Sequence, residues 1–264
     1  MFHDAESIKL INKILHDKEA FYYDILHGEI WNFYEQLRIK IDVKTILNAV
    51  NKPVQRLKVL DIGSGTGNLT LKFLYLGCEV TALDISQKML EILQSKVPGT
   101  LSKKMKLFCD DADHFLLHEN ENYDVITFSS VLHHLPDYLN TVNLSISKLN
   151  LGGVIYIVHE PLPYKERKQL KLLKFIDGYL NYLNLRRENV GIPLIDHSLT
   201  DVHAEIGISL ENLLDLLHSN NMEIVMLRRY PSYKCAIINL LGELLQERTH
   251  FRLIAKKKSD NIQF

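Results

Sequence analysis

Apolar residues follow two rhythms along the chain, and the rhythm changes near residue 56 and again near residue 161. Over residues 1–55 they recur at helical spacing. Ile8, Ile11, Ile14 and Leu15 predict a first helix, and Trp31, Tyr34, Leu37, Ile41 and Val43 a second, from about Ile30 to Ala49. Between them lies the cluster Phe21-Tyr22-Tyr23-Asp24, and Pro53 ends the pattern. From 56 to 160 short apolar runs alternate with helical patterns. Lys58–Ile62, Glu79–Asp84, Met105–Cys109, Asp124–Phe128 and Val154–His159 predict strands; Asn68–Leu76, Ser86–Val97, Ala112–Leu117 and Tyr138–Leu149 predict helices. Such alternation specifies a parallel sheet with helices on both faces, whose strands read apolar on both sides.

After Pro161 and Pro163, the apolar positions Leu170, Leu173, Phe175, Ile176, Tyr179, Leu180 and Leu183 predict a further helix, followed by a Gly/Pro/Asp loop from Gly191 to Asp201. Ser209 is placed to cap a helix running to Ser219. Glu223–Arg229 and His250–Lys256 read as a closing antiparallel pair of strands. The expected organisation is an N-terminal helical lid (1–55), an α/β core (56–160), a helical insertion that covers substrate (161–208) and a segment completing the sheet (209–264). The sheet is expected to be doubly wound, seven-stranded and mostly parallel, with an antiparallel last strand.

Composition narrows the function classes. Lys+Arg is 31 against Asp+Glu 32, a formal net charge of -1. Nucleic-acid binders that work by surface charge carry a basic excess, so no nucleic acid is expected as partner. The run Lys256-Lys257-Lys258 reads as a solvated end. Three dispersed cysteines, Cys78, Cys109 and Cys235, form no disulfide framework, and the acidic N-terminus lacks the pattern of a signal peptide. No apolar run approaches the roughly 20 residues needed to cross a bilayer. A cytoplasmic protein with no membrane partner is expected.

The chemistry concentrates in Val59-Leu60-Asp61-Ile62-Gly63-Ser64-Gly65-Thr66-Gly67-Asn68, a strand that ends in a glycine-rich turn and opens a helix. Glycine lets the backbone turn sharply and lets a ligand approach without a Cβ in the way. The helix that follows points its first N–H groups at that ligand. A dinucleotide site would place its third glycine at position 68, where Asn68 stands. The run Leu60–Gly67 resembles instead the first motif of the class I S-adenosylmethionine (SAM)-dependent methyltransferases, of the small-molecule type. Four further segments resemble that family in the same order: Thr81–Ser86, Asp110-Asp111-Ala112, Tyr123–Leu135 and Leu149–Val154. In the last of these Leu151 replaces the family's usual proline.

The resemblance implies a Rossmann-like fold, SAM as cofactor and S-adenosylhomocysteine as product. It implies that Asp61, Gly63, Ser64, Gly65, Thr66 and Gly67 form the cofactor loop. Asp84, with Ile85 beside it, would accept from the ribose hydroxyls, or else serve only the helix start at Ser86. Met89 would pack on the adenine, or simply in the core. Asp111 before Ala112 would accept from the adenine amino group, or cap its helix. Ser129 would lie near the methionine half.

The acceptor is expected to be a small molecule, hydrophobic or aromatic in keeping with the apolar lids. No Asn/Asp-Pro-Pro-Tyr/Phe loop follows the fourth strand, no cysteine follows a proline, and no thiols cluster. A tRNA or protein methyltransferase and a non-catalytic SAM-binding subunit remain as alternatives, and an NAD-type oxidoreductase as a more distant one. His134, His159 and Glu160 fall at strand ends where this fold does its chemistry and are the candidate catalytic residues; His133 adjoins them. Tyr22 and its neighbour Tyr23 could close over the cofactor. Asp201-x-His203-x-Glu205 share a face if extended; Tyr22, His203 and Glu205 are expected as substrate contacts, and no metal is expected.

Overall fold

A computed structural model describes residues 4–163, 168–187 and 207–258. Seven strands form one sheet: β1 (Lys58–Ile62), β2 (Glu79–Asp84), β3 (Met105–Cys109), β4 (Tyr123–Ser129), β5 (Leu149–Pro161), β6 (Met222–Tyr230) and β7 (His250–Lys257). Their order is β3-β2-β1-β4-β5-β7-β6. The pairs from β3 through β5 are parallel, whereas β7 is antiparallel to both β5 and β6. This is the doubly wound, Rossmann-like sheet with an antiparallel last strand that the alternation of patterns predicts.

Neighbouring residues of one strand serve opposite layers, as the two-residue repeat requires. Leu60, Ile62, Ile126, Phe128, Ile155 and Ile157 pack with residues of α7 (Ala112–His118), α8 (Tyr138–Ser147) and α10 (Leu210–Ser219). Val59, Val125, Val154, Tyr156 and Val158 pack on the other face with Ile39, Val43 and Ile46 of α4 (Phe33–Val50) and Leu69, Phe73 and Leu74 of α5 (Asn68–Tyr75). Each such side chain, fully removed from water, contributes about 1.5–3 kcal/mol before chain entropy is counted. The helix α6 (Gln87–Lys96) starts at Ser86, whose hydroxyl accepts from the Met89 N–H, and buries Leu90 and Leu93 beside Ala82. Between β6 and β7 runs α11 (Ala236–Leu244), whose Ile238, with Tyr233 just before the helix, packs with Leu173 of α9 (Lys168–Arg187).

The N-terminal region departs from its apolar pattern. It folds as α1 (Ala5–Glu19), a 3-10 turn, two short helices α2 (Tyr23–Leu26) and α3 (Gly28–Trp31), and then α4. The expected second helix breaks at Asn32, whose side chain caps α4 by accepting from the Glu35 N–H. In α1 the buried residues are Asn12 and Glu19, whereas Ile14 is exposed. In α4 Leu37 and Ile41 are exposed, and Glu35, Arg38 and Asp42 are buried among the apolar residues. The polar face turns inward because each buried charge has a partner there. Arg38 donates to Glu35, and Asp42 accepts from Arg252 Nη1 at 2.9 Å and from the Tyr156 hydroxyl at 2.8 Å.

The lysines of the C-terminal run are likewise not free in solvent. Lys256 Nζ donates to the Ala49 carbonyl near the end of α4, and Lys257 Nζ to the Ile146 carbonyl near the end of α8. Cations there satisfy carbonyls that have no intrahelical donor and oppose the negative helix end.

Asp42 ties α4 to the centre of the sheet, so Asp42→Ala is expected to leave Arg252 and Tyr156 facing a void and to cost about 3 kcal/mol. Urea unfolding of the variant checks this; a change below about 0.5 kcal/mol would mean that α4 is held by its apolar residues alone.

Candidate active site

Three carboxylates at the carboxyl edge of the sheet shape the loops above it. Asp61 sits opposite Thr127 across the β1–β4 pairing, accepts from the Thr127 hydroxyl at 2.6 Å, and accepts from both the N–H and the hydroxyl of Thr70. Burial outweighs these donors and pushes its pKa up to about 6. Asp84, at the tip of β2, accepts from the Gly65 N–H at 2.7 Å with one oxygen and from the Ser86 N–H at 2.9 Å with the other. Burial raises its pKa as well. Glu160, on β5, accepts from the N–H groups of Val131, Leu132 and His133 and pairs with His133 Nδ1 at 2.8 Å.

The glycine loop takes its form from these contacts. Gly63 has φ +66°, and a Cβ there would lie 2.4 Å from Val131 Cγ2. Gly65 has φ +51°, which frees its N–H to reach Asp84 and leaves its open side facing the Tyr23 ring. At the cavities two non-glycine residues also adopt left-handed conformations: Ser130 (φ 57°) after β4 and His159 (φ 62°) within β5, where the pairing with β7 shifts register. Such strain persists where surrounding contacts enforce it and gathers at functional sites.

Two cavities adjoin here. The first, with about 730 Å³ of non-atom space, is lined by Gly63, Gly65, Asp84, Ile85, Met89, Asp111, Ala112 and Ser129 together with Lys9, Asn12, His16, Tyr23, Ser130, Val131 and His134. The second, about 830 Å³, shares His16, Tyr23, Ser130 and His134 with the first and adds Glu19, His27, Glu29, His133, His159 and His250.

Of the cofactor-binding residues expected from sequence, eight therefore converge on the first cavity. Asp61, Ser64 and Thr66 line a smaller cleft beside it, and Gly67 turns toward Leu71 and Leu93 of the flanking helices. Asp111 caps α7 by accepting from the His114 N–H, and its other oxygen lies 3.2 Å from Lys9 Nζ. His134 lines both cavities and His159 the second, while Glu160 is wholly buried beneath them. Tyr22 lines neither cavity; its ring stands edge-on to Phe21, and Tyr23 lines both. His203 and Glu205 lie outside the described residues. Among the described residues no cluster fit to hold a metal occurs, and no helix is long and apolar enough to cross a membrane.

Sequence reasoning missed the contribution of the N-terminal helices. His16 Nδ1 lies 2.8 Å from Glu19 Oε1, Glu19 Oε2 lies 3.6 Å from His27 Nε2, and His27 Nδ1 lies 2.8 Å from Glu29 Oε1. Burial opposes the His27 charge, but hydrogen bonds to Glu19 and Glu29 outweigh it and raise the pKa to about 9. Burial likewise opposes both carboxylate charges, yet the imidazoles hold Glu19 and Glu29 down at about 2. By contrast, burial lowers the pKa of His159 and pushes that of His250 down to about 3, so both imidazoles are neutral near pH 7. The i,i+3 spacing of His16 and Glu19 was the one signal in the sequence that could have exposed this series.

Residues 59–152 match the family model described as a methyltransferase domain. The chain is 27% identical over 103 residues to a ubiquinone biosynthesis O-methyltransferase of Hydrogenovibrio crunogenus, covering 39% of this chain and 42% of that protein. A demethylmenaquinone methyltransferase of Lactobacillus johnsonii is 28% identical over 167 residues, or 60% of this chain and 68% of that protein. The chain thus spans less than half of the ubiquinone-biosynthesis relative. In three dimensions it is similar to the magnesium protoporphyrin IX methyltransferase of Synechocystis PCC 6803 crystallised with SAM. The TM-score is 0.58 at 15% identity, covering 98% of this chain and all of that one, a likeness of fold.

The imidazole–carboxylate series sets a pH window for the N-terminal helices. His27 has a folded pKa above its ordinary 6.5, so its contribution is full below about 6.5 and is lost as pH rises through 9. Glu19 and Glu29 lie below their ordinary 4.5, so theirs is full above 4.5 and is lost as pH falls toward 2. Scanning calorimetry of wild type and His27→Ala is expected to show the widest gap in Tm between pH 4.5 and 6.5 and a closing gap toward pH 9. A gap that stays constant across that range would contradict the assignment.

Proposed function

We propose that this chain is a SAM-dependent methyltransferase acting on a small-molecule acceptor, with the first cavity holding the cofactor and the second the acceptor. The observation that carries this reading is the convergence of the glycine loop, Asp84, Met89, Ala112 and Ser129 on one cavity at the carboxyl edge of the sheet. Ligands of open α/β sheets bind at that edge.

The residues present fit the group. A Cβ at position 63, on the lining of the cavity, would collide with the Val131 side chain. Both Asp84 oxygens already accept from backbone, yet each keeps a lone pair for a ribose hydroxyl. Asn12 Oδ1 is buried without a hydrogen-bond donor while its amide donates to the His134 carbonyl, so it can receive a cationic amine. Asp84 would hold the ribose, Met89 and Ala112 would flank the adenine, Asp111 would accept from its amino group, and Ser129 would lie along the methionine half. Bound SAM supplies an activated methyl group for direct displacement. The chain's part is to align the acceptor with that methyl and to exclude water, and effective alignment alone can account for much of such a barrier.

The helices before α4 act as a lid in this reading, with Tyr23 against the open side of Gly65. Of the roles expected for His134, His159 and Glu160, the surroundings favour acceptor contact for the two histidines and a positioning role for Glu160, whose oxygens are taken by the loop after β4. The lining of the second cavity alters the expectation for the acceptor. It is dominated by imidazole and carboxylate, with Leu15, Ile30 and Pro161 as its apolar members. A purely hydrophobic molecule would leave those groups unpaired at a cost of about 1–3 kcal/mol each. A ring-bearing acceptor with its own hydrogen-bonding groups suits both the flat imidazole faces and their nitrogens.

Isothermal titration with SAM and with S-adenosylhomocysteine tests the reading. Both are expected to bind with micromolar Kd, and Asp84→Ala is expected to weaken them at least about tenfold, the equivalent of one charge-assisted hydrogen bond of 1.4 kcal/mol or more. Thermal protection by nicotinamide dinucleotide and not by SAM would assign the cavity to another cofactor.

A further inference from the structure

His16 stands where the two cavities meet, and its surroundings set its chemistry. The residue lies on α1, one turn before Glu19, and lines both the first and the second cavity. The neighbouring carboxylate is almost wholly buried, 1% exposed, and accepts at 2.8 Å from His16 Nδ1. A carboxylate that fixes the Nδ1–H tautomer leaves Nε2 as a lone-pair acceptor. Among the described residues no hydrogen bond is made to that Nε2. The His134 ring meets the His16 ring edge-on at 5.3 Å, and the Tyr23 ring lies at 6.2 Å, so the imidazole is held from two sides.

We propose that the Glu19–His16 pair is the general base of this site and that the acceptor therefore reacts through a weakly acidic hydroxyl, phenolic or enolic, seated in the second cavity. The proposal rests on the reading of the first cavity as a SAM site. In the step, the hydroxyl proton passes to His16 Nε2 as the oxygen forms its bond to the methyl carbon. The carbon–sulfur bond of SAM breaks, and its electron pair stays on sulfur. Water or buffer later removes the proton from the imidazolium.

The charges around His16 suit that role. Glu19 and Glu29 are both ionised near pH 7, and His27 between them is protonated. Two carboxylates and one imidazolium leave one negative charge, which is what a second imidazolium at His16 would neutralise. Other charged or titratable groups that line the two cavities with it are Lys9, Asp84, Asp110, Asp111, His133 and His134, together with the Tyr23 hydroxyl, whose pKa burial raises far above 10. The Tyr23 phenol is therefore neutral and competes for no proton. An already ionised acceptor would need no base. The base thus selects for a hydroxyl whose own pKa lies above the working pH. The dyad follows the logic by which an oriented imidazole activates a hydroxyl in unrelated enzymes.

The test has two arms. The first uses labelled methyl transfer from SAM to phenols and catechols of graded acidity, with primary amines and thiols alongside, for wild type, His16→Asn and Glu19→Gln. Titration with S-adenosylhomocysteine on the same preparations separates loss of cofactor binding from loss of the base. Wild type is expected to methylate weakly acidic phenols. His16→Asn is expected to lose about 10²–10³-fold in kcat on them, to keep its rate on nitrophenols that are already ionised, and to regain activity with added imidazole. The second arm needs no acceptor. Nitrogen-15 NMR of the histidines is expected to show His16 as the Nδ1–H tautomer, shifting toward Nε2–H in Glu19→Gln. Equal loss on ionised and un-ionised phenols, transfer to amines or thiols only, or a His16 that carries its proton on Nε2 would each overturn the proposal while leaving the cofactor reading intact. Failure to bind S-adenosylhomocysteine in wild type would remove both.

Discussion

A carboxylate taken out of water has to be given donors, and the loops at the carboxyl edge of this sheet are arranged to supply them. Asp61, Asp84 and Glu160 together accept six backbone N–H bonds: from Thr70; from Gly65 and Ser86; and from Val131, Leu132 and His133. Those bonds determine where the loop after β1, the turn after β2 and the loop after β4 run. The floor of the first cavity is a consequence of them. Gly63 lacks a side chain because Val131 occupies that space, and Val131 is there because its N–H is held by Glu160. The three loops are therefore coupled, and strain at Ser130 and His159 is the local cost of the coupling.

The same physics recurs one layer above, in a different form. The helices before α4 bury charges on the side that faces the cavities and leave Leu10 and Ile14 toward solvent. Glu19, His27 and Glu29 compensate one another, so the segment can present polar groups to a ligand without leaving a bare charge. An N-terminal segment built this way is sensitive to protonation, whereas the doubly packed sheet is held by apolar contact.

The core was legible because its signals are local. Lys58–Ile62 and Glu79–Asp84 coincide with β1 and β2, since a parallel strand buried on both faces must read as a short apolar run; Met105–Cys109 coincides with β3 at the edge of the sheet. The glycine loop and Asp84 were legible for a similar reason: a turn at a strand tip leaves a fixed spacing. The N-terminal half of the site was not. Helical periodicity in α1 and α4 gave the helices, but it named Ile14, Leu37 and Ile41 where the structure buries Asn12, Glu35, Arg38 and Asp42. Periodicity assumes that the inward face is apolar, and here the inward face meets a cavity and a cluster of compensated charges. Tyr22 and Tyr23 differ by about 100° around a helical turn, and only tertiary packing decides which of the two meets Gly65. The lysines of the C-terminal run were read as solvated for the same reason, because the carbonyls they reach belong to helices far away in sequence.

The central claim is that the cavity floored by Gly63 and Gly65 holds an adenosyl group, and a crystal structure of the protein with S-adenosylhomocysteine tests it most directly. The account predicts the ribose hydroxyls within hydrogen-bond distance of Asp84, the adenine between Met89 and Ala112, and the sulfur turned toward the cavity that His16 and His134 share. Density for the ligand at any other place, or an Asp84 that faces no ribose, would contradict it.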